Sequence, residues 1–319
     1  MAAAEPDTLP IASFRQFYAE ELRVTANLRS ALLVEALAKV KREDFLGPPP
    51  WSFTSQAPSK DGSYRTTEDV RDLYHDVVVA LKLERQLNNG QPSLIAGCID
   101  QLHLAAGKRM LHIGCGTGYY TAIMATMVGS AGKVRAFEVD ADLAALARSN
   151  LAAYGNVEVH HRDGAEFRPV PCPAEGQDEP PGAECSDGGT DCGSLDAIFV
   201  NATVCYAQPA WLNALVEGGT LVLPLAAGET ARSRRALVLK IVRRGRGFSA
   251  ELCSLFDLYL SPTMQNEAVQ SRLRSSLESK AIGRLKSLRI DDHTEDAACL
   301  VHATGFCLSA RAVGAEGQG

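Results

Sequence analysis

The chain of 319 residues contains no apolar run long enough to cross a bilayer. Its first residues, Met1-Ala2-Ala3-Ala4-Glu5-Pro6-Asp7, have neither the basic stretch nor the apolar stretch of a secretory signal. A cytoplasmic protein with no membrane partner is therefore expected. Positive charge is not in excess either. The formal net charge of −6 lacks the basic face with which a general nucleic-acid binder neutralises phosphates, so no nucleic-acid partner is expected. The 9 cysteines are an odd number and include no C-x-x-C pair, which fits a reducing compartment better than a disulfide framework. No H-E-x-x-H motif occurs among the 7 histidines. His160 and His161 fall on a predicted strand, where adjacent side chains point to opposite faces. Cys172, Cys185 and Cys192 lack the close pairing of zinc ligands, so no metal is expected. A hydrophobic content of 46% is nevertheless ample for a sizeable core.

The positive signal is a buried strand, Met110-Leu111-His112-Ile113, that runs into the loop Gly114-Cys115-Gly116-Thr117-Gly118 and opens a helix. Gly114 permits a sharp turn, and Gly116 and Gly118 clear side chains from the path of a ligand. Free N–H groups at the start of the helix face the same way. A second strand, Lys133 to Glu138, ends in a carboxylate suited to accepting hydrogen bonds from the two hydroxyls of a ribose. The dinucleotide pattern G-x-G-x-x-G is missing, because the third glycine comes one residue early and Tyr119 stands in its place. The spacing G-x-G-x-G is similar to that of Rossmann-like S-adenosylmethionine-dependent methyltransferases.

The wider pattern predicts an α/β, Rossmann-like doubly wound sheet with an N-terminal helical segment and a C-terminal extension. Strands are expected at 109–113, 133–138, 157–161, 195–200 and 219–224, with helices near 118–128, 140–153 and 207–216. Helical spacing runs from about Ile11 to Val40 and stops at Gly47-Pro48-Pro49-Pro50. Residues 51–72 read as an ordered loop, and Gln91 to Leu104 as a helix. An antiparallel pair, Ala236–Val242 with Leu252–Leu260, is joined through Arg243-Arg244-Gly245-Arg246-Gly247, whose arginines read as a solvated hairpin tip. A helix near 266–286 and a last strand from Cys299 to Leu308 complete the tail. Residues 171–194 hold acidic side chains but neither Lys nor Arg, and too little apolar surface to offset ordering entropy; they read as a flexible insertion. The expected segments are 1–90, 91–260 and 261–319.

Several stretches taken together resemble the protein-L-isoaspartate O-methyltransferase family. Val34 to Phe45, VEALAKVKREDF, resembles its "EALxxVPREkFV" segment. Tyr74-His75-Asp76 resembles "YxD", Gln91-Pro92 the end of "TISQP", and Arg162-Asp163-Gly164 "GDG". Leu195 to Val200 resembles "fDaIiV", and Gly218 to Pro224 "GGxLvlPv". The resemblance implies S-adenosylmethionine as methyl donor and a peptide, protein or small-molecule carboxylate as acceptor. It also implies that Gly114, Cys115, Gly116 and Gly118 line the methionine end, Glu138 the ribose, and Asp163 with Gly164 the adenine. On turn chemistry alone Asp163 could equally be a turn residue before Gly164. Asn201, after the fourth strand, lies where ligands of such sheets bind. Asn201-Ala202-Thr203 is not the D-P-P-Y or N-P-P-Y motif of methyltransferases acting on adenine.

This chain departs from the family pattern in three places. His112 replaces the acidic residue expected two positions before the first glycine, the 171–194 insertion is longer than usual, and Asn88-Asn89-Gly90 replaces Thr-Ile-Ser. Asn88, Asn89, the Gly90 and Gln91 backbone N–H groups and Ser93 are the candidate donors for an acceptor carboxylate. They stand just before a helix, whose N-terminus favours an anion. Equally, Asn89-Gly90 could be a plain turn and Ser93 a helix cap. Three readings stay open: an isoaspartyl-type carboxyl methyltransferase, an O-methyltransferase of a dedicated modified peptide or small acid, and a non-catalytic cofactor-binding module.

Overall fold

A computed structural model describes residues 9–54, 64–85, 87–169, 194–227, 235–257 and 266–314. Of the insertion expected at 171–194, residues 171–193, with Cys172, Cys185 and Cys192, lie outside the described residues, as does the start Met1–Asp7. In chain order the elements are α1 (Ile11–Thr25), α2 (Ala31–Lys39), β1 (Trp51–Thr54), β2 (Arg65–Thr67), β3 (Val78–Lys82), β4 (Leu87–Asn88), α3 (Pro92–Asp100), β5 (Arg109–Ile113) and α4 (Tyr119–Val128). There follow β6 (Lys133–Glu138), α5 (Ala141–Asn150), β7 (Val157–His161), β8 (Leu195–Val200), α6 (Pro209–Ala214), β9 (Leu215–Ala226), β10 (Arg235–Arg244) and β11 (Gly247–Asp257). The tail holds α7 (Glu267–Glu278), β12 (Ser287–Arg289), β13 (Cys299–Ala303) and β14 (Phe306–Ser309). Among the described residues, no helix is long and apolar enough to cross a membrane.

The chain divides into two compact units, Met1–Gly107 with Cys115–His161, and Lys108–Gly114 with Arg162–Gly319. In the first unit, β6 and β7 pair in parallel. The single helix expected from Ile11 to Val40 is two helices. Asn27 adopts φ 50°, Ser30 caps α2 by accepting from the Leu33 N–H at 3.3 Å, and the Asp100 carboxylate accepts from the Ser30 N–H at 2.9 Å. A buried acid distant in sequence thus stabilises a break that helical periodicity does not reveal. Residues 51–72 are not a loop throughout. They supply β1 and β2 to a small antiparallel sheet ordered β2-β1-β3-β4. Trp51 and Phe53, alternate residues of β1, join Leu73, Val77 and Val79 in its core. Strands this short carry too little periodicity to be distinguished from a loop.

In the second unit, β5 and β8 pair in parallel, as do β8 and β9. Antiparallel strands then extend from β9 through β10, β11, β12 and β14 to β13. The strands expected at 109–113, 133–138, 157–161 and 195–200 are present; the one expected at 219–224 lengthens to Leu215–Ala226. Parallel strands alternate with α4, α5 and α6 in chain order, the Rossmann-like α/β pattern. The expected tail is corrected twice. The helix near 266–286 ends at Glu278, and the strand from Cys299 to Leu308 is a hairpin turning at Gly305, which has φ 69°.

Candidate functional site

In the first unit, β6 delivers Glu138 to the glycine loop. The side chain is only 7% exposed. Its Oε2 accepts from the Gly116 N–H at 2.8 Å and its Oε1 from the Asp140 N–H at 3.0 Å. Each carboxylate oxygen retains a lone pair for a ligand hydroxyl. Asp140 in turn caps α5, accepting from the Asp142 and Leu143 N–H groups at 3.0 Å each. Lys82 lies 3.5 Å from Asp140, and Arg85 pairs with it directly. Backbone N–H donors and the two cations hold the Asp140 carboxyl down to about 2 against the cost of its desolvation. Gly118 opens α4 with φ 98°. A Cβ there would stand 2.7 Å from Leu151 Cδ1, so the missing side chain makes room for Leu151. Cys115 is buried. Desolvation, with Glu138 nearby, pushes its thiol well above the ordinary range, so it is no nucleophile.

The loop expected to meet the acceptor belongs to the same unit; its Gly90 N–H and Ser93 donors are used inside the protein, whereas the buried Asn89 Nδ2 has no hydrogen-bond partner among the described residues. The Gly90 N–H donates to Asn88 Oδ1 at 2.8 Å. Gly90 has φ +78°, a conformation that favours glycine, and a Cβ there would press on Ile95 Cγ1 at 3.0 Å. Asn89 Oδ1 accepts from the Val79 N–H at 3.1 Å and from Arg42 Nη2 at 3.3 Å. Ser93 does not cap α3. Asp76 does, accepting from the Ser93 N–H at 2.8 Å, the Ser93 Oγ–H at 2.7 Å and Gln91 Nε2 at 2.9 Å. The anion favoured at this helix N-terminus is thus a carboxylate of the protein itself. These bonds correct the expectation that the Gly90 N–H and Ser93 stand ready for an external acceptor. Asn88 and Gln91 remain half-buried.

Sequence reasoning missed Arg42 as a site residue. It is wholly buried. Its Nη1 donates to the Leu73 carbonyl at 2.6 Å and the His75 carbonyl at 3.3 Å, and Nη2 to the Val77 carbonyl at 2.7 Å as well as to Asn89. The guanidinium carbon lies 6.0 Å from the ring centres of Tyr18 and Tyr119. One planar fork therefore ties the segment before β3 to the loop before α3, a task suited to Arg and not to Lys. The Val34–Phe45 resemblance included this residue, but nothing in its own neighbourhood shows its reach.

The second unit carries the remaining candidates. The Asn201 N–H donates to the Ile113 carbonyl at 2.8 Å, anchoring Asn201 beside Gly114. Asp163 Oδ1 accepts from the Ala165 N–H at 2.9 Å, which makes it a turn residue with a second carboxylate oxygen available. Trp211 Nε1 donates to the Gly164 carbonyl at 2.9 Å and fixes that turn. His112 is fully buried and stacks on Phe199 with centroids 5.3 Å apart. Burial lowers its pKa to about 3. The position where the family carries an acid therefore holds a neutral ring at physiological pH.

The sequence profile described as Protein-L-isoaspartate(D-aspartate) O-methyltransferase matches residues 16–173. A protein-L-isoaspartate O-methyltransferase of Methanocella arvoryzae is 38% identical over 161 residues, covering 50% of this chain and 73% of that protein. One of Koribacter versatilis is 26% identical over 267 residues, covering 83% of this chain and 97% of its own. A Plasmodium falciparum chain, solved with S-adenosyl-L-homocysteine and described as a β-aspartate methyltransferase, superposes with a TM-score of 0.55 at 17% identity. That superposition covers 79% of this chain and 99% of the other. The last likeness carries the fold.

Proposed function

Since the chain belongs to the protein-L-isoaspartate O-methyltransferase family, we propose that it methylates a carboxylate of a peptide or protein, with an acceptor loop rebuilt around Gly90. S-adenosylmethionine is the methyl donor; when bound it supplies an electrophilic methyl on a sulfonium. The observation that carries the reading is the bond from the Gly116 N–H to Glu138. It holds the glycine loop against a carboxylate that keeps acceptor capacity, as a ribose site requires. On this reading Glu138 takes the ribose, Asp163 and Gly164 the adenine, and Gly114, Cys115, Gly116 and Asn201 the remainder of the donor.

A carboxylate acceptor is already ionised and needs no general base. The protein's work is to bring the nucleophile into line and strip it of water. We assign that work to the loop from Asn88 to Ser93, with Asn88 and Gln91 as its half-buried polar groups and Arg42 as the residue that positions it. The internal use of the Gly90 and Ser93 donors favours a second, narrower reading in which the acceptor is not the isoaspartyl group but another peptide carboxylate. The test is a labelled-methyl assay on the purified chain, with an isoaspartyl peptide, its aspartyl counterpart and a panel of acidic peptides. Base-labile label on any of these peptides supports carboxyl methylation; label on the isoaspartyl peptide alone makes that group the acceptor, and label on another acidic peptide favours the narrower reading. Binding of S-adenosylhomocysteine without methylation of any carboxylate would sink both.

A further inference from the structure

The C-terminal extension brings His293, Cys299, His302 and Cys307 together. One ligand atom from each lies within 4.8 Å of every other. Cys299 and His302 stand on β13, and the hairpin register sets His302 opposite Cys307 on β14. His293 comes from the loop before β13. Its Nδ1 lies 2.9 Å from the Asp291 carbonyl and 3.3 Å from the Asp291 carboxylate. Those acceptors call for the proton on Nδ1 and leave the Nε2 lone pair, which lies 3.6 Å from Cys299 Sγ. His302 Nδ1 is buried and has no hydrogen-bond partner among the described residues. Cys299 Sγ accepts from the Asp296 N–H at 3.4 Å and lies 3.5 Å from Asp296 Oδ1, to which the thiol donates. Both acids are held in turn, Asp291 by Arg289 at 2.8 Å and Asp296 by Arg311 at 3.1 Å.

We propose that His293, Cys299, His302 and Cys307 form a structural zinc site that pins the loop before β13 to the β13–β14 hairpin. Tetrahedral zinc, with bonds of about 2.3 Å to sulfur and about 2.0–2.1 Å to nitrogen, has ligand-to-ligand edges of roughly 3.3–3.8 Å. The Cys299–His293 pair already spans such an edge, and the wider pairs need only close inward. Two thiolates and two imidazoles select zinc over magnesium or calcium. Four protein ligands leave no open position, so the ion would be structural rather than catalytic. Binding releases one proton from each cysteine to solvent and takes both histidines as neutral rings. The pattern H-x5-C-x2-H-x4-C has no close cysteine pair and does not stand out in the sequence; the hairpin closes the gap in space. This site is independent of the methyl-transfer reading.

The test uses the full chain, purified under reducing conditions from zinc-supplemented cells, with any histidine tag removed. Elemental analysis should find about one zinc per chain, and cobalt(II) exchange should give the intense visible bands of a tetrahedral thiolate site. Cys299→Ser with Cys307→Ser should abolish both signals, Cys253→Ser should leave them intact, and His302→Gln should weaken zinc about tenfold or more in a chelator competition. If the double variant does not fold, His302→Gln and the parent carry the test: a chelator should lower the melting temperature and zinc should restore it. A folded, reduced parent that neither retains zinc nor shows the cobalt bands overturns the proposal. So does undiminished metal in the double variant, or a Cys299–Cys307 disulfide found by mass spectrometry under the same reducing conditions.

Discussion

The Gly116 amide and the Glu138 carboxylate meet at 2.8 Å, so the acid assigned to the ligand also fastens the loop that would cradle it. Replacing Glu138 should therefore reduce affinity and order together. Hydrogen bonds to a charged group are each worth about 1.5–3 kcal/mol. Glu138→Ala should weaken S-adenosylhomocysteine by at least about tenfold in calorimetry and lower the melting temperature. Equal affinity in variant and parent would remove Glu138 from the ribose role.

Restoring the family's serine at Gly90 should harm the protein before it helps catalysis. A residue with a side chain held in the left-handed region costs about 1–3 kcal/mol, and the new Cβ would press on Ile95. Gly90→Ser alone should lose stability of that order in a urea melt. A Gly90→Ser chain as stable as the parent would show that the loop is free to adopt the family conformation.

Arg42 donates to the buried carbonyls of Leu73 and Val77. Arg42→Met should leave the Leu73 and Val77 carbonyls without this donor, at about 1–3 kcal/mol for each buried acceptor left unsatisfied. Arg42→Lys should recover little, because an ammonium cannot reproduce the fork. Denaturant unfolding reads both. A lysine variant matching the parent would mean that charge, not geometry, is what this position supplies.

Asp76 holds the start of α3 from a distance. Asp76→Asn can still accept but must turn its amide away from the Ser93 N–H or from Gln91. A loss of about 1 kcal/mol, the ordinary value of a cap, is expected. The acceptor loop should loosen with it, read as faster amide exchange at Gly90 and Ser93 with α5 unaffected. Unchanged exchange in that loop would disconnect Asp76 from acceptor-side order.

His112 makes stability depend on pH. It is neutral in the folded chain down to about 3, whereas in the unfolded chain it takes up a proton near 6.5. Between these values the unfolded state binds more protons, so stability is whole above about 6.5 and falls as pH drops, by up to about 1.4 kcal/mol per unit. His112→Leu should flatten that part of the profile relative to the parent in melts taken from pH 4 to 7. Parallel profiles would mean that the ring is protonated or exposed in the native state.

The sequence by itself determined the Rossmann-like alternation, the glycine loop and the acid at the end of the second strand. Each is written in local spacing: buried strands as apolar runs, left-handed turns as glycines, the acid at a set distance from the loop. The order of short motifs was enough to identify the family, since each motif lies within a few residues. Only the tertiary structure decided where the polar groups spend their hydrogen bonds. Asp100 breaks the first helix, Asp76 rather than Ser93 caps α3, and Arg42 holds the loop before α3, because partners far apart in the chain meet only once packing has formed. The same reason hid the C-terminal cluster. His293, Cys299, His302 and Cys307 carry no recognisable spacing along the chain, and only the β13–β14 hairpin, with the loop before it, brings their ligand atoms within 4.8 Å of one another.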